Sequence, residues 1–195
     1  MEEKFDLQKI QKKLKKYLDE DRLWHTLGVM HTAAALAMVY DVDIEKAQLA
    51  GLLHDCAKCI STKKKLKLCK ENRIPVSEFE KKHPFLLHAK VGACIAREKY
   101  GVTDPEILES IVWHTTGKAD MTTLEKIIYI ADYIEPARNK APRLGEIRKI
   151  AFQDLDRCMY EILHDTLNYL DKDPDAIDQA TVRAYEFYKE KCGND

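Results

Sequence analysis

No apolar run in this chain approaches the ~20 residues that a membrane span requires. The opening stretch MEEKFDLQKI carries no apolar signal region. A cytoplasmic address and no membrane partner are therefore expected. Charge of one sign is missing too: 32 Lys and Arg stand against 33 Asp and Glu, a net charge of −1. Without a basic field, nucleic acid is excluded as a partner. The basic runs KKLKK (12–16) and KKKLK (63–67) read as solvated helix faces. The six cysteines are scattered and fit free, reduced thiols that act as small hydrophobes. CAKC (56–59) has a redox or zinc spacing, yet no second CxxC and no βαβ pattern accompanies it. Strand-type alternation, internal repeats, low-complexity tracts and flexible linkers are also lacking.

What is present is helical periodicity. Hydrophobic residues make up 45% and charged residues 33% of 195 positions, enough to bury a core in one compact domain. Helices are expected over 6–18, 20–40 and from an Asp43 cap to about Ile60. Ser61 starts a short basic helix that breaks around Pro75. Pro84 opens a helix to Tyr100, stopped by Gly101. Asp104-Pro105 opens the next, closed by TTG (115–117), and Thr122 or Thr123 caps one reaching Glu135. A single long amphipathic helix is expected over 144–171, and a last one over 176–191. The expected fold class is all-α: one helical bundle over 1–195, with a core of about 20–170 and the C-terminal helix packed on it.

The dipeptide His-Asp occurs twice, at 54–55 and 164–165. His164 shares its helix side with Gln153, Arg157, Tyr160, Glu161 and Asn168, a polar face, so that pair reads as solvated. His54 is preceded at helical spacing by Gly51, Ala50 and Ala47, a lane of small residues that leaves room beside the imidazole. Asp55 lies in an apolar segment, where an ionised carboxylate is costly unless paired or metal-bound. Lys58, four residues on, is expected on the side of His54. A buried structural ion pair is the alternative reading of this segment alone.

Other helices carry matching features. His25 sits between Arg22 and Gly28, and His88 lies beside small residues in LLHAKVGA. His114 ends a helix next to Thr115 and Thr116, and Asp132 interrupts the apolar EKIIYIADYIEPAR with no basic residue three or four positions away. His31 has no assigned role. Two imidazoles and two carboxylates without thiolate suit iron, manganese or cobalt better than structural zinc. An open cation beside Arg22, Lys58, His88, His114 and Arg138 is the chemistry of a phosphate ester or anhydride.

On these residues the chain resembles the HD-domain phosphohydrolase superfamily, whose signature His … His-Asp … Asp falls on His25, His54-Asp55 and Asp132. RLWHTLGV, KAQLAGLLHDCAK, LLHAKVGA, VWHTTG, MTTLEKIIYIADYIEPAR and IRKIAFQDL resemble the blocks of its YqeK-type bacterial branch across about 22–155. The resemblance implies a symmetrical dinucleoside-tetraphosphatase that cuts diadenosine tetraphosphate into two ADP, with iron held by His25, His54, Asp55 and Asp132. It further implies phosphate contacts from Arg22, His88, His114, Thr115 and Arg138. A weaker match, around 173–180, puts Asp175 and Ile177 near the nucleoside. Lys58, His88 and His114 are the catalytic candidates. The segment ENRIPVSEFEKKHPF is longer and more charged than the family leads one to expect, and LLHAKVG assigns the family histidine to His88, not His83. A second metal ion and a homodimer stay open. So do two other functions: a nucleotidase or deoxynucleoside triphosphatase acting on mononucleotides, and a nucleotide-binding regulator without turnover.

Overall fold

The computed structural model describes residues 5–171 and 177–193, which contain helices and no strands. In chain order the α-helices are α1 (Leu7–Leu14), α2 (Glu20–Val39), α3 (Ile44–Leu53), α4 (Thr62–Glu71), α5 (Glu78–Lys82) and α6 (Leu87–Tyr100). They continue with α7 (Pro105–Trp113), α8 (Thr123–Ile134), α9 (Leu144–Ala151), α10 (Leu155–Leu170) and α11 (Gln179–Cys192). A 3₁₀ turn over Pro84–Leu86 leads into α6. Among the described residues no helix is long and apolar enough to cross a membrane.

The starts and stops follow from local chemistry. Asp19, Asp43, Asp104, Asp154 and Asp178 each accept a backbone N–H at a helix start. Thr122 forms a full capping box with Glu125, which satisfies two donors that the first turn leaves orphaned. Gly101 ends α6 at φ +76, a conformation costly for side-chain-bearing residues.

Three helices make the centre. Past its exposed first turn, helix α3 is buried at Ala47 and from Leu49 to Leu53, as a helix packed against α2, α7 and α8 must be. Helices α2 and α8 contribute Val29, Met30, Ala33, Ile127, Ile128 and Ile130 to the same core. The small lane before His54 serves this packing. A Cβ on Gly51 would lie 2.9 Å from Met30 Cα, so α3 crosses the bare backbone of α2. The space expected beside His54 is thus filled by α2, and His54 itself is fully buried.

Four segments differ from expectation, the first being α1, which ends at Leu14 rather than at residue 18. The 144–171 segment is two helices, because Phe152–Asp154 leave the helical path and Asp154 caps α10. The apolar stripe keeps its phase across this break, so periodicity alone does not reveal it. ENRIPVSEFEKKHPF holds a short helix of its own, α5, opened by a Ser77–Glu80 capping box. Helix α3 stops at Leu53 rather than near Ile60. Residues 54–60 continue as tight turns in which Cys56, Lys58 and Ile60 donate to carbonyls three residues back.

Candidate metal centre

The site begins where α3 ends. His54, still in αR conformation at the C-cap, and Asp55 after it both reach toward one centre. His54 Nε2 lies 3.6 Å from Asp55 Oδ2. The i→i+3 turns that follow align residues three apart rather than four. They bring Lys58 into line with Asp55 instead of His54. Its Nζ lies 3.6 Å from Asp55 Oδ1 and 3.1 Å from His88 Nε2.

Four imidazoles converge on this point, each held from behind. The Nδ1 atoms of His54, His88 and His114 donate to the carbonyls of Gly51, Phe85 and Ile111, each three residues upstream, at 2.6, 2.6 and 2.7 Å. His25 Nδ1 donates instead to Glu135 Oε1 at 3.1 Å. A carbonyl only accepts, so each backbone-held ring carries its proton on Nδ1 and turns an Nε2 lone pair inward. Burial pushes His54 down to about 4 and His88 likewise to about 4, so both are neutral at pH 7.

Around Asp55 the Nε2 atoms form two nests. In one, His25 Nε2 lies 3.9 Å from Asp55 Oδ2 and 3.0 Å from Asp132 Oδ1, while His54 Nε2 lies 4.0 Å from Asp132 Oδ1. In the other, His88 and His114 Nε2 lie 3.1 and 3.5 Å from Asp55 Oδ1 and 3.1 Å from each other. The Thr115 hydroxyl sits 3.2 and 3.1 Å from those two nitrogens. Burial alone would raise the Asp55 carboxyl. Its surroundings, His54 first and then His114 and His88, hold it well below the usual range instead. Asp132 is likewise lowered against its burial, by the close approach of His25 and then by His54 and Arg138.

Inward lone pairs facing ionised carboxylates repel unless a cation lies between them. The orphaned atoms say the same: His25 Nε2, His54 Nε2 and Asp55 Oδ1 are buried without a hydrogen-bond partner. Such groups are rare in native interiors and call for an explanation. A cation supplies one, and the donor set, imidazole and carboxylate without thiolate, fits a transition metal. His25, His54 and Asp55, and separately Asp55, His88 and His114, bring ligand atoms within 4.8 Å of one another.

The arginines and the C-terminal segment complete the surroundings. Arg22 donates to Asp55 Oδ2 at 2.8 Å, and Arg138 to Asp132 Oδ1 at 2.7 Å and to the Asp132 carbonyl. The counter-charge of Asp132 thus comes from six residues downstream. Arg148 bonds the carbonyls of Ile134, Glu135 and Arg138 and so pins the loop that carries Arg138. Asp175 lies outside the described residues. Ile177 is half-buried, just before the Asp178 cap of α11, and the Thr181 hydroxyl donates to Thr116 O. The start of α11 therefore lies against the turn carrying His114 and Thr115.

Sequence reasoning missed Glu135. It is 2% exposed, bonds His25 and accepts from Ala137 N at 2.7 Å. The signal was available: Gly28, three residues from His25, leaves the space that Glu135 fills, and a Cβ there would meet Glu135 Oε2 at 2.5 Å. CAKC stays outside the centre. Cys56 donates to Gly92 O, with its thiol pushed up to about 12 by burial, and Cys59 donates to Asp19.

Comparison with known proteins gives the same picture. Residues 22–137 match the profile of the HD domain. The chain is 37% identical over 174 residues to a symmetrical bis(5'-nucleosyl)-tetraphosphatase of Bacillus subtilis, covering 89% of this chain and 92% of that one. It is 35% identical to the protein of the same description in Staphylococcus aureus, covering 94% of each. A crystal structure from Clostridium acetobutylicum, described as a predicted HD superfamily hydrolase involved in NAD metabolism, superposes with a TM-score of 0.92. It shares 35% identity and covers 97% of this chain and all of its own.

Proposed function

The chain belongs to the HD-domain family, and on that premise we propose that it hydrolyses a dinucleoside tetraphosphate at the middle anhydride, releasing two nucleoside diphosphates. The relatives at 35–37% identity over nine-tenths of the chain carry that activity in their names. The observation that carries the reading at the level of chemistry is the set of orphaned buried atoms on His25, His54 and Asp55, with lysine, arginine and hydroxyl donors around them. The same reading takes the chain as one HD-type domain, with α11 as the wall beside His114.

We assign His25, His54, Asp55 and Asp132 as metal ligands and iron as the metal, with manganese or cobalt as substitutes that the donor set also accepts. A second ion at Asp55, His88 and His114 follows from the second nest. Bound there, such cations supply Lewis-acid polarisation of phosphoryl oxygens and activation of water.

The remaining work falls to the chain's own groups. Glu135 and the three backbone carbonyls hold each imidazole in one tautomer, so its Nε2 is available without rearrangement. Lys58 Nζ, beside Asp55 and His88, offsets negative charge that develops on the phosphates. Where no second ion is held, the Nε2 lone pairs of His88 and His114 are free to take up a proton and pass it to the departing diphosphate. The Thr115 hydroxyl and the guanidiniums of Arg22 and Arg138 position non-bridging oxygens, the arginines in a planar fork suited to phosphate. Ile177, with Asp175, is assigned to the nucleoside beside the start of α11.

The test is product identification on protein purified without oxygen, with metal analysis of the same sample. Iron in the sample and ADP as the sole product from diadenosine tetraphosphate are expected, with activity lost on chelation. ATP plus AMP would refute the symmetric cut. Faster turnover of mononucleotides in competition would move the protein to the nucleotidase reading.

A further inference from the structure

We propose that Trp24 is a stacking platform for one base of the substrate, so that the cleft beside His25 and Asp132 receives one complete nucleoside half. This rests on the dinucleotide reading above and names where one of its two bases lies.

Trp24 is 70% exposed on α2, immediately before buried His25. An indole is costly to leave in water, and this one has no structural task. Among the described residues it has no hydrogen bond, ring contact or cation partner. Trp113, in contrast, donates to Glu109 and lies under Lys118. Trp24 instead lines a cleft of about 550 Å³ with Arg22, His25, Asp132, Tyr133 and Arg138. That volume lies within the range of small-ligand sites. The unpartnered Nε2 of His25, itself 8% exposed, belongs to the same wall, so the cleft opens on the metal centre.

The lining states its ligand. The cleft also carries Asp19, Asp21 and Lys140. Its two guanidiniums beside the reacting centre each keep donors beyond the one carboxylate they bond and suit phosphate oxygens, and a bare indole at the rim suits a planar ring. Any base offers a π face to such a platform. A ligand with phosphates inward and an aromatic ring outward is a nucleotide. A symmetric cut requires one nucleotide on each side of the centre. The start of α11 flanks His114 and Thr115, and the Trp24 cleft flanks His25 and Asp132, on other helices. The two halves of the substrate thus meet different surfaces, one of them aromatic.

The Trp113→Phe variant leaves Trp24 as the single tryptophan, whose fluorescence is titrated in chelated protein with ADP and, separately, with pyrophosphate. Saturable quenching by ADP and none by pyrophosphate is expected. In the metal-loaded enzyme, Trp24→Ala raises KM for diadenosine tetraphosphate roughly five- to tenfold with kcat kept, and Trp24→Phe recovers most of the loss. Equal quenching by both anions, no quenching, or an unchanged KM overturns the proposal. A Trp24→Ala protein that elutes as a smaller species also overturns it, since the indole then serves a contact between copies. If the unaltered enzyme leaves the tetraphosphate intact, the dinucleotide reading fails, while the base-dependent quench still decides the role of Trp24.

Discussion

The two His-Asp pairs share a sequence and nothing else. Asp55 and Asp165 are both buried, with side chains 2% and 8% exposed, so burial does not separate them. Their partners do. Asp165 meets Arg143 Nη2 at 2.8 Å, and Glu161 meets the same nitrogen at 2.9 Å. His164 beside them is 42% exposed and lies against Tyr160 and Tyr185. Asp55 meets a guanidinium too, Arg22 at 2.8 Å, and each aspartate leaves one buried oxygen without a hydrogen-bond partner. Asp55, however, also faces the Nε2 atoms of four imidazoles at 3.1 to 3.9 Å. A buried carboxylate held by a guanidinium without converging imidazoles is a strut between the start of α9 and α10. A buried carboxylate facing unprotonated nitrogens needs a cation. The pair 164–165, expected to be solvated, is so only at His164.

The sharpest way to break this contrast is the same substitution in both places. Asp55→Asn is expected to abolish turnover and metal retention, well beyond the roughly 10–100-fold that losses behind a ligand cost. The protein should stay folded, because the amide fits the same space. Asp165→Asn is expected to leave turnover within about twofold while lowering stability by about 1–2 kcal/mol, since the Arg143 side of the pair remains 36% exposed. Metal content, turnover and thermal unfolding on both proteins check this. Equal stability losses with activity kept in both would reduce Asp55 to a second strut.

The next effect lies one layer out, behind His25. Gly28→Ala places a methyl group 2.5 Å from Glu135 Oε2, which His25 Nδ1 and Ala137 N hold in place. Glu135 must then move, and His25 loses what fixes its ring. Metal affinity is expected to fall roughly 10–100-fold. Helical stability should change little, as alanine is favoured over glycine in a helix interior by about 0.5–1 kcal/mol. A metal titration with a melting curve separates the two. Unchanged affinity would show that the layer behind His25 is as dispensable as the surroundings of His164.

Much of this was legible in the chain because it depends on residue type at helical spacing. His25, Asp132, His88 and His114 stand out as polar residues in apolar helices, and capping aspartates mark most helix starts. What stayed hidden depends on departures from the α-helical period. Lys58 was aligned with His54 by counting four residues, whereas the turn after Leu53 aligns it with Asp55 by counting three. The Gly51 lane suggested room for a ligand, but sequence does not say that a helix backbone takes that room. Glu135 looked like a helix end before Pro136. Asp165 looked exposed because its partner, Arg143, lies across a helix break that the continuous apolar stripe conceals.

The smallest expected effect tests the strut side through pH. Burial alone would raise the Glu161 carboxyl, but its bond to Arg143 and the charge of Arg157 hold it below 4.5. A carboxyl lowered in the folded state stabilises the fold above its unfolded value, and the gain is lost as pH falls through the folded one. Glu161→Gln is therefore expected to be less stable than the unaltered protein at pH 7, by under about 1 kcal/mol given the exposure of both arginines. The difference should shrink below pH 4.5 and vanish in stronger acid. Denaturant midpoints at pH 7 and at pH 4 and below, taken on chelated protein, keep the histidine centre from contributing differently to the two forms. A gap that persists into acid would mean that Glu161 acts by packing rather than charge, and the arginine-strut half of the contrast would lose its electrostatic basis.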